Sequence, residues 1–194
     1  MKRVYDFYTS LLKEFGKQHW WPAETRFEVI VGAILTQNTA WRNVEKAIAN
    51  LKEANVLSAE KLLKVDDLER LIKPAGFYNQ KAERLRLIAE WFLKNQRKAE
   101  KMDRMELRKE LLGIKGIGKE TADSIILYAF EKPIFVVDAY TRRFCKYYNL
   151  FEGKEYDEYR VFFERNLPFD VEIFKEYHAL IVAWGKKYKH LVEK

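Results

Sequence analysis

The segment from Leu111 to Ala122 carries the residue types of a phosphate-binding turn between two helices. Gly116 and Gly118 permit positive φ angles and leave the backbone N–H groups uncovered by side chains. A phosphate can therefore approach the start of the following helix, where the helix dipole also favours an anion. Lys115 and Lys119 add positive charge, which attracts phosphates without reading base sequence. A plain helix–helix turn has the same glycine spacing, so the segment indicates phosphate binding only when further motifs agree.

Asp138 is a second candidate for chemistry, because it combines a charge with a helix start. It follows the apolar residues Phe135–Val137 and precedes a segment of helical character, Ala139–Phe144. Asp is a favoured N-cap residue, and a carboxylate at a helix N-terminus tends to stay ionised. A structural capping role and a catalytic role are compatible, so the residues alone leave both open.

The elements that must position these groups are helices. Apolar residues recur at helical spacing in six segments, and breakers containing Gly, Pro or Asn separate them. The six segments are Glu24–Leu35, Asn43–Leu51, Gln80–Leu93, Met105–Leu112, Glu120–Phe130 and Phe174–Tyr188. The β-branched run Ile134–Val137 is too short and isolated to indicate a sheet. We therefore predict an all-α fold with short connections.

The net charge of +7, from 36 Lys and Arg against 29 Asp and Glu, favours a polyanionic partner, nucleic acid first. The basic residues are interspersed with acidic ones on the predicted helix faces, so an ordinary solvated surface is an equal alternative. No apolar run reaches the roughly 18 residues of a membrane span. The first 16 residues mix acids and bases, unlike a signal peptide. We expect a cytoplasmic protein that has no membrane partner.

The cysteine and histidine residues of the chain do not indicate a metal site. The single cysteine, Cys145, excludes an intrachain disulfide and a multi-cysteine metal cluster. The three histidines, His19, His178 and His190, have no spacing typical of a metal site. We therefore predict no catalytic metal and no organic cofactor.

Several stretches of the chain resemble the endonuclease III superfamily of DNA glycosylases. Ile114–Ala122 is similar to the helix–hairpin–helix of that family, and Lys132–Asp138 to the loop and apolar residues that end in its catalytic Asp. Phe27–Thr39 (FEVIVGAILTQNT) resembles its second-helix segment with a Gln-bearing loop. Ile72–Ala82 (IKPAGFYNQKA) resembles its I-x-x-x-G-[LF]-Y-x-x-K-A element. The matches occur in the expected order and extend the resemblance from residue 24 to residue 150.

The resemblance implies a two-lobed, all-α helix–hairpin–helix fold with a DNA-binding cleft between the lobes. A helical barrel lobe would span residues 24–133 and contain the hairpin helices at 105–130. The second lobe would be built from residues 1–23 and 134–194. The implied partner is double-stranded DNA with a damaged base, bound by a monomer at the nucleoid. The implied activity removes a flipped-out base, while Asp138 stabilises the oxocarbenium-like sugar or aligns the attacking water.

The resemblance also assigns residues to DNA binding. They are Lys115, Gly116, Gly118, Lys119, Thr121, Gln37, Asn38 and Phe77. The hairpin residues would grip one phosphate, with room for a monovalent cation at the hairpin carbonyls as in relatives. Gln37 and Phe77 would lie on minor-groove loops, probe the opposite strand and fill the hole left by the extruded base. Core packing is the alternative for Phe77.

Two departures from the family pattern narrow the chemistry. The family's iron–sulfur cluster needs four cysteines after the last helix, whereas this chain ends at Lys194 with Cys145 alone, so we expect no cluster. Bifunctional members carry a nucleophilic lysine where this chain has Glu120, and a carboxylate cannot form a Schiff base. Lys119 is adjacent, but one helical step turns its side chain by about 100°. We predict no efficient β-elimination.

Glu120 keeps two interpretations. It either assists catalysis, by binding the flipped nucleotide or orienting water, or it is a first-turn residue that favours the helix start.

A base pocket is suggested by Trp20-Trp21-Pro22 and Trp41. These residues resemble the 3-methyladenine glycosylase branch of the superfamily, where the cluster is also absent. His178 of the last predicted helix would lie near this pocket. Aromatic core packing and a structural histidine are the alternatives.

The chemistry of an alkylated purine fits such a pocket. An N3-alkylated adenine is cationic, and aromatic rings hold a cation by an attraction worth roughly 0.5–2 kcal/mol per contact. We therefore predict a monofunctional DNA glycosylase of base excision repair that acts on alkylated purines such as 3-methyladenine. One alternative is a glycosylase for oxidised pyrimidines or mismatched thymine or uracil, with weak or no AP lyase activity. Another is a non-catalytic helix–hairpin–helix DNA-binding protein.

Overall fold

The computed structural model of the protein describes residues 2–192, and within this range the regular secondary structure is helical, without a β-strand. In chain order the helices are α1 (Lys2–Phe15), α2 (Arg26–Leu35), α3 (Trp41–Glu53), α4 (Ala59–Leu62), α5 (Leu68–Ile72), α6 (Tyr78–Lys101), α7 (Arg104–Leu112), α8 (Lys119–Ser124), α9 (Ala139–Tyr147), α10 (Tyr156–Asn166), α11 (Val171–Lys187) and α12 (Lys189–Val192). A 3₁₀ turn, Lys73–Ala75, follows α5, and a π-helical segment, Ile125–Ala129, continues α8. The predicted all-α fold class is confirmed.

The chain divides into two compact units. The central unit, Ala23–Phe130, holds α2 to α8 and the π-helical segment. The terminal unit combines Met1–Pro22 with Glu131–Lys194 and holds α1 and α9 to α12. Within the terminal unit α1 packs against α10 and α11, so its two stretches of chain share one core. Among the described residues, no helix has both the length and the apolar character that a membrane crossing requires.

Helix α2 is the buried centre of the central unit. Every residue from Phe27 to Leu35 is buried, which is the pattern of a helix that is covered on all sides rather than on one face. Helices α3, α6 and α8 and the π-helical segment pack around it. The C-terminal end of α2 is therefore held in place, and so is the loop that begins with Thr36 and Gln37.

The first helix of the predicted hairpin, α7, starts at a side-chain cap, and the second, α8, continues as a π-helix. Asp103 caps α7, where its Oδ1 accepts hydrogen bonds from the N–H groups of Met105 at 2.7 Å and Glu106 at 3.0 Å. The sequence predicts one regular helix over Glu120–Phe130. This prediction is wrong, because the α-helix ends at Ser124 and the chain continues as a π-helix. All five residues of that segment are buried.

The terminal unit has an aromatic core that fixes the chain just before Asp138. The rings of Phe135 and Phe163 stack with centroids 4.2 Å apart, and Tyr177 of α11 meets both edge-on. The hydroxyl of Tyr177 donates to the carbonyl oxygen of Val4 in α1 at 3.0 Å. Residues 134–137 are all buried. Asp138 therefore emerges from this core at a defined point.

Several predicted helix boundaries differ from the structure, and two of the differences have identifiable reasons. Helix α2 begins at Arg26 rather than at Glu24, because Thr25 is its N-cap and accepts a hydrogen bond from a backbone N–H of the first turn. Helix α6 continues to Lys101, two turns beyond the predicted end at Leu93. Those last turns read KNQRKAEK, so they carry almost no apolar periodicity from which a helix can be predicted.

Candidate functional site

Asp138 is the N-cap of α9, and the cap occupies only one of its carboxylate oxygens. Oδ1 accepts a hydrogen bond from the backbone N–H of Thr141 at 2.7 Å and another from the Thr141 hydroxyl at 2.9 Å. Oδ2 lies 3.4 Å from Nε2 of His178 on α11. The capping role predicted from sequence is confirmed, and the second oxygen lies outside the cap, against His178.

The surroundings of Asp138 keep it ionised. Burial by itself would raise the pKa of this carboxyl, but the His178 imidazole and the Thr141 hydrogen bonds outweigh burial and hold the pKa below its ordinary value. The side chain is 15% exposed, so it is shielded without being sealed from the surface. A charged, largely dry carboxylate of this kind is suited to stabilising a developing positive charge.

Aromatic rings stand beside this pair in the terminal unit. The ring centroid of Trp20 lies 5.6 Å from that of His178, and Trp21 follows at 5.8 Å from Trp20. Both tryptophans are half-buried, and Pro22 is exposed. Three separate stretches of sequence thus meet at Asp138, His178 and Trp20. Trp41, the remaining predicted pocket residue, is half-buried at the start of α3 in the central unit.

A close contact between α9 and α11 supports the start of α9. A Cβ atom added to Gly185 would lie 2.2 Å from Cδ1 of Tyr140, so the Tyr140 ring occupies space that only a glycine leaves open. Gly185 and His178 are two turns apart and therefore lie on one face of α11. This face of α11 meets both Tyr140 and the Asp138 cap.

The hairpin turn lies between α7 and α8. Gly116 has φ +84°, and a Cβ there would meet the Arg84 side chain at 2.4 Å, so both backbone conformation and space require glycine. Gly118, the N-cap of α8, has φ −88°, which any residue can adopt, so the predicted use of positive φ is wrong at this position. No atom approaches within 4 Å of a Cβ placed on Gly118, which leaves the backbone at the helix start accessible.

The side chain of Gln37 is tied to this turn. Its Nε2 donates to the Thr121 hydroxyl at 2.9 Å and to the carbonyl oxygen of Gly116 at 3.2 Å, and its Oε1 accepts from Arg84 at 2.6 Å. Thr121 is buried and holds the turn through its bond to Gln37, and its predicted part in DNA binding stays a prediction. The network joins the end of α2, the hairpin and α6.

Each of the two loops assigned to the minor groove has an exposed residue with a positive φ angle. Phe77 has a left-handed backbone with φ +46° and a side chain that is 62% exposed, so the alternative of core packing is wrong. Asn38 is also exposed, with φ +52°. An exposed phenylalanine on a constrained backbone is what a wedge into a base stack requires.

The charged residues near the hairpin are exposed. Lys119 and Glu120 are the first two residues of α8. Nζ of Lys115 contacts Oε1 of Glu83 on α6 at 2.7 Å, with 77% and 54% of these side chains exposed. This contact lowers the pKa of Glu83, so the carboxylate partly offsets the charge that Lys115 brings to the turn.

Lys81 anchors two loops of the central unit, a role that was not predicted from sequence. Its Nζ donates to the carbonyl oxygens of Leu35 and Ala75, both at 2.8 Å, and the side chain is fully buried. These carbonyls precede the Gln37 loop and the Phe77 loop respectively, so one side chain anchors both. Burial, followed by repulsion from Arg84, lowers the pKa of Lys81 to about 8. The sequence did contain one indication of this role, since Lys81 stands in the apolar repeat of α6, where a lysine is unexpected.

A pH-dependent stability follows for Lys81. Between about pH 8 and 10 the unfolded chain keeps the lysine proton while the folded chain releases it, so the free energy of unfolding rises with pH. We expect the difference in that free energy between the wild type and Lys81→Met to grow by at most about 1.4 kcal/mol per pH unit. A neutral amine still has N–H groups for both carbonyls, whereas Met has none. Urea unfolding measures the difference, with exposed Lys46→Met as control; a difference independent of pH contradicts the prediction.

No group of three or more His, Cys, Asp or Glu side chains within residues 2–192 is arranged to hold a metal ion.

Residues 31–169 match the family model of the HhH-GPD superfamily base excision DNA repair protein. The chain is 54% identical over 193 residues to a putative DNA repair glycosylase of Methanocaldococcus jannaschii, covering 95% of this chain and 88% of that protein. It is 31% identical over 180 residues to endonuclease III of Thermotoga maritima, covering 92% and 80%.

Solved structures agree with these matches. The 3-methyladenine DNA glycosylase of H. pylori, solved with bound 1,N6-ethenoadenine, has a TM-score of 0.83 and 32% identity over 95% of this chain and 96% of that one. A trapped endonuclease III–DNA covalent intermediate has a TM-score of 0.81 at 20% identity, covering 96% and 86%, which shows likeness of fold. The resemblance to the endonuclease III superfamily and its 3-methyladenine branch is confirmed. The chain belongs to the HhH-GPD superfamily of base excision DNA repair glycosylases.

Proposed function

We propose that the protein is a monofunctional DNA glycosylase that releases alkylated purines, 3-methyladenine among them, from double-stranded DNA. The observation that carries the proposal is the ionised, partly exposed Asp138, which caps α9 with one oxygen and keeps Oδ2 outside the cap. The 3-methyladenine DNA glycosylase of H. pylori, 32% identical over nearly the whole chain, supports the choice of substrate class.

The proposed chemistry assigns most of the work to charge and stacking. An N3-alkylated adenine is cationic and leaves the sugar readily, so it needs little proton donation. As the glycosidic bond lengthens, the carboxylate of Asp138 stabilises the oxocarbenium-like sugar or aligns the attacking water. Trp20, Trp21 and Trp41 would hold the extruded base by stacking and cation–π attraction, with Pro22 at the edge of the pocket.

The proposed DNA contacts lie in the central unit. Lys115, Gly116, Gly118 and Lys119 would hold a backbone phosphate at the accessible start of α8, and the exposed Phe77 and Asn38 would enter the minor groove. The turn suits a monovalent cation, since such ions take backbone carbonyl ligands. Gly116 and Ile114 each accept one hydrogen bond through their carbonyl oxygens and retain a second lone pair.

The Lys115–Glu83 contact gives a test of the phosphate site. We expect Glu83→Gln to tighten DNA binding modestly, because Lys115 is then released from a competing carboxylate. The slope of log Kd against log salt concentration should steepen by up to about 0.9, the value for one further phosphate contact. Fluorescence anisotropy over a salt series measures this, with Glu90→Gln, an exposed position of the same helix, as control. Unchanged affinity and slope would place Lys115 outside the DNA interface.

Incubation with methylated DNA and identification of the released bases tests the proposed activity. Release of 3-methyladenine in excess of the other bases supports it. A preference for an oxidised pyrimidine, or for mismatched thymine or uracil, would instead favour the second candidate, for which the 31% identity to endonuclease III of Thermotoga maritima is the specific observation. Absence of release from every duplex would contradict both.

Borohydride trapping tests the proposed lack of AP lyase activity. The exposed Glu120 cannot form a Schiff base, so we expect no covalent DNA adduct with the wild type. Glu120→Lys, which restores an amine at this position of α8, serves as the positive control. A strong adduct with the wild type would show that Lys119 or another lysine acts as a nucleophile.

Three further parts of the proposal concern composition and setting. We expect the protein to act as a monomer on chromosomal DNA at the nucleoid, without an iron–sulfur cluster and without an organic cofactor. Light scattering measures the mass of the DNA-free protein. Iron analysis of the purified protein tests the absence of a cluster, and stoichiometric iron would contradict it.

A further inference from the structure

His178 is in contact with the carboxylate that the proposed function uses. Its Nε2 lies 3.4 Å from Oδ2 of Asp138, and the two side chains are 6% and 15% exposed. We propose that His178 is a positioning residue for Asp138, which orients Oδ2 through Nε2 while the cap holds Oδ1. This inference rests on the proposed function and assigns a distinct task to each oxygen of the carboxylate.

The packing around His178 limits its freedom. It lies in the middle of α11, and the Trp20 ring covers it with centroids 5.6 Å apart. Two turns further along the same helix face, Gly185 receives the ring of Tyr140. Helix α11 thus meets the start of α9 at two points, which fixes the distance between the imidazole and the carboxylate. A side chain held in this way can orient its partner through a single hydrogen bond.

A hydrogen bond from Nε2 of His178 would fix the direction of Oδ2 in the pocket. Asp138 would then present its negative charge in a constant position toward the sugar cation. Hydrogen bonds to catalytic groups are often long before substrate binds, so the 3.4 Å separation is compatible with this role.

Other titratable groups lie near this face of α11. Asp138 approaches from the start of α9, and Tyr140 lies against Gly185. Cys145 of α9 and Tyr8 of α1 both lie near Tyr177, the residue before His178. Burial raises the pKa of Cys145 to about 12 and also raises the pKa of Tyr8, so both stay neutral at the acidic and neutral pH values where imidazoles titrate.

The test compares single-turnover base release by the wild type, His178→Ala and His178→Gln at neutral pH. We expect the alanine variant to lose about 10-fold to 100-fold in rate, the range for groups that orient a reactive side chain. Gln supplies an N–H donor near the Nε2 position, so it should recover most of the rate that the alanine variant loses. His190→Gln, at an exposed histidine of α12, should keep the wild-type rate.

Thermal unfolding and DNA affinity are measured for each variant, so that a loss of fold is recognised. The inference is overturned by an alanine variant with the wild-type rate, or by equal losses in the alanine and glutamine variants, which would mean that the imidazole only packs. A double-mutant cycle of unfolding free energies with Asp138→Asn measures the contact without substrate. If the changes in unfolding free energy of the two single variants simply add, His178 does not interact with Asp138 and the inference fails. If the wild type releases no base, the proposed function fails, whatever the result of the cycle.

Discussion

Replacement of Asp138 by Asn is expected to lower the single-turnover rate of base release by at least about 10²-fold, while DNA affinity and folding are retained. The substitution separates the two roles of the residue, because Asn is as good an N-cap as Asp. An amide oxygen can still accept the N–H of Thr141, which Oδ1 now accepts at 2.7 Å. What is lost is the negative charge beside the developing sugar cation.

A matched control distinguishes charge from geometry at this position. Thr141→Val removes the hydroxyl that donates to Oδ1 at 2.9 Å and accepts from the Asp138 N–H at 3.4 Å, but it keeps the bond from the Thr141 N–H to Oδ1 and the charge of Asp138. We expect a much smaller loss of base release from this variant than from Asp138→Asn. Wild-type activity in Asp138→Asn would mean that the carboxylate serves only as a cap. The alternative of a non-catalytic DNA-binding protein would gain support only if the wild type also released no base.

The features that were predictable from sequence are those encoded within a few consecutive residues. The requirement for glycine at position 116 and the cap at Asp138 follow from local backbone geometry, so the sequence motif predicts them correctly. The network of Gln37 and Thr121 joins residues 84 positions apart, and no local spacing reports such a contact. The same limit explains why the sequence placed His178 near a pocket but did not predict its contact with Asp138.

The helix pattern shows the same division. Helix α2 was recognisable because nearly every residue is apolar, whereas the last two turns of α6 are polar and are helical only as a continuation of a helix packed elsewhere. Lys81 departs from the apolar pattern of α6. It lies on the buried face of the helix at helical spacing from Leu85 and Ile88, where an apolar residue is expected. A lysine at such a position has to find acceptors inside the fold. Which carbonyls accept depends on how the loops pack, and the sequence does not contain that information in any short segment.

A second large effect is expected in stability, from the ion pair that joins the two hairpin helices. Arg108 of α7 donates from Nε to Oδ1 of Asp123 in α8 at 2.7 Å and from Nη2 to Oδ2 at 3.3 Å. The two side chains are 8% and 0% exposed. We expect Asp123→Asn to reduce the free energy of unfolding by about 3–5 kcal/mol, because the buried guanidinium then loses its counter-charge. Urea unfolding at neutral pH measures the change.

Two comparisons make this prediction specific to a buried charge. Asp67→Asn breaks an exposed ion pair with Arg70 and should cost no more than about 1 kcal/mol. The double replacement Arg108→Met with Asp123→Leu removes both charges together and should be less destabilising than Asp123→Asn alone, which removes only one of them. A small loss in Asp123→Asn, comparable with that in Asp67→Asn, would contradict the argument. The pair would then contribute little to holding α7 and α8 together, and the geometry of the hairpin turn would depend chiefly on Gln37 and Arg84.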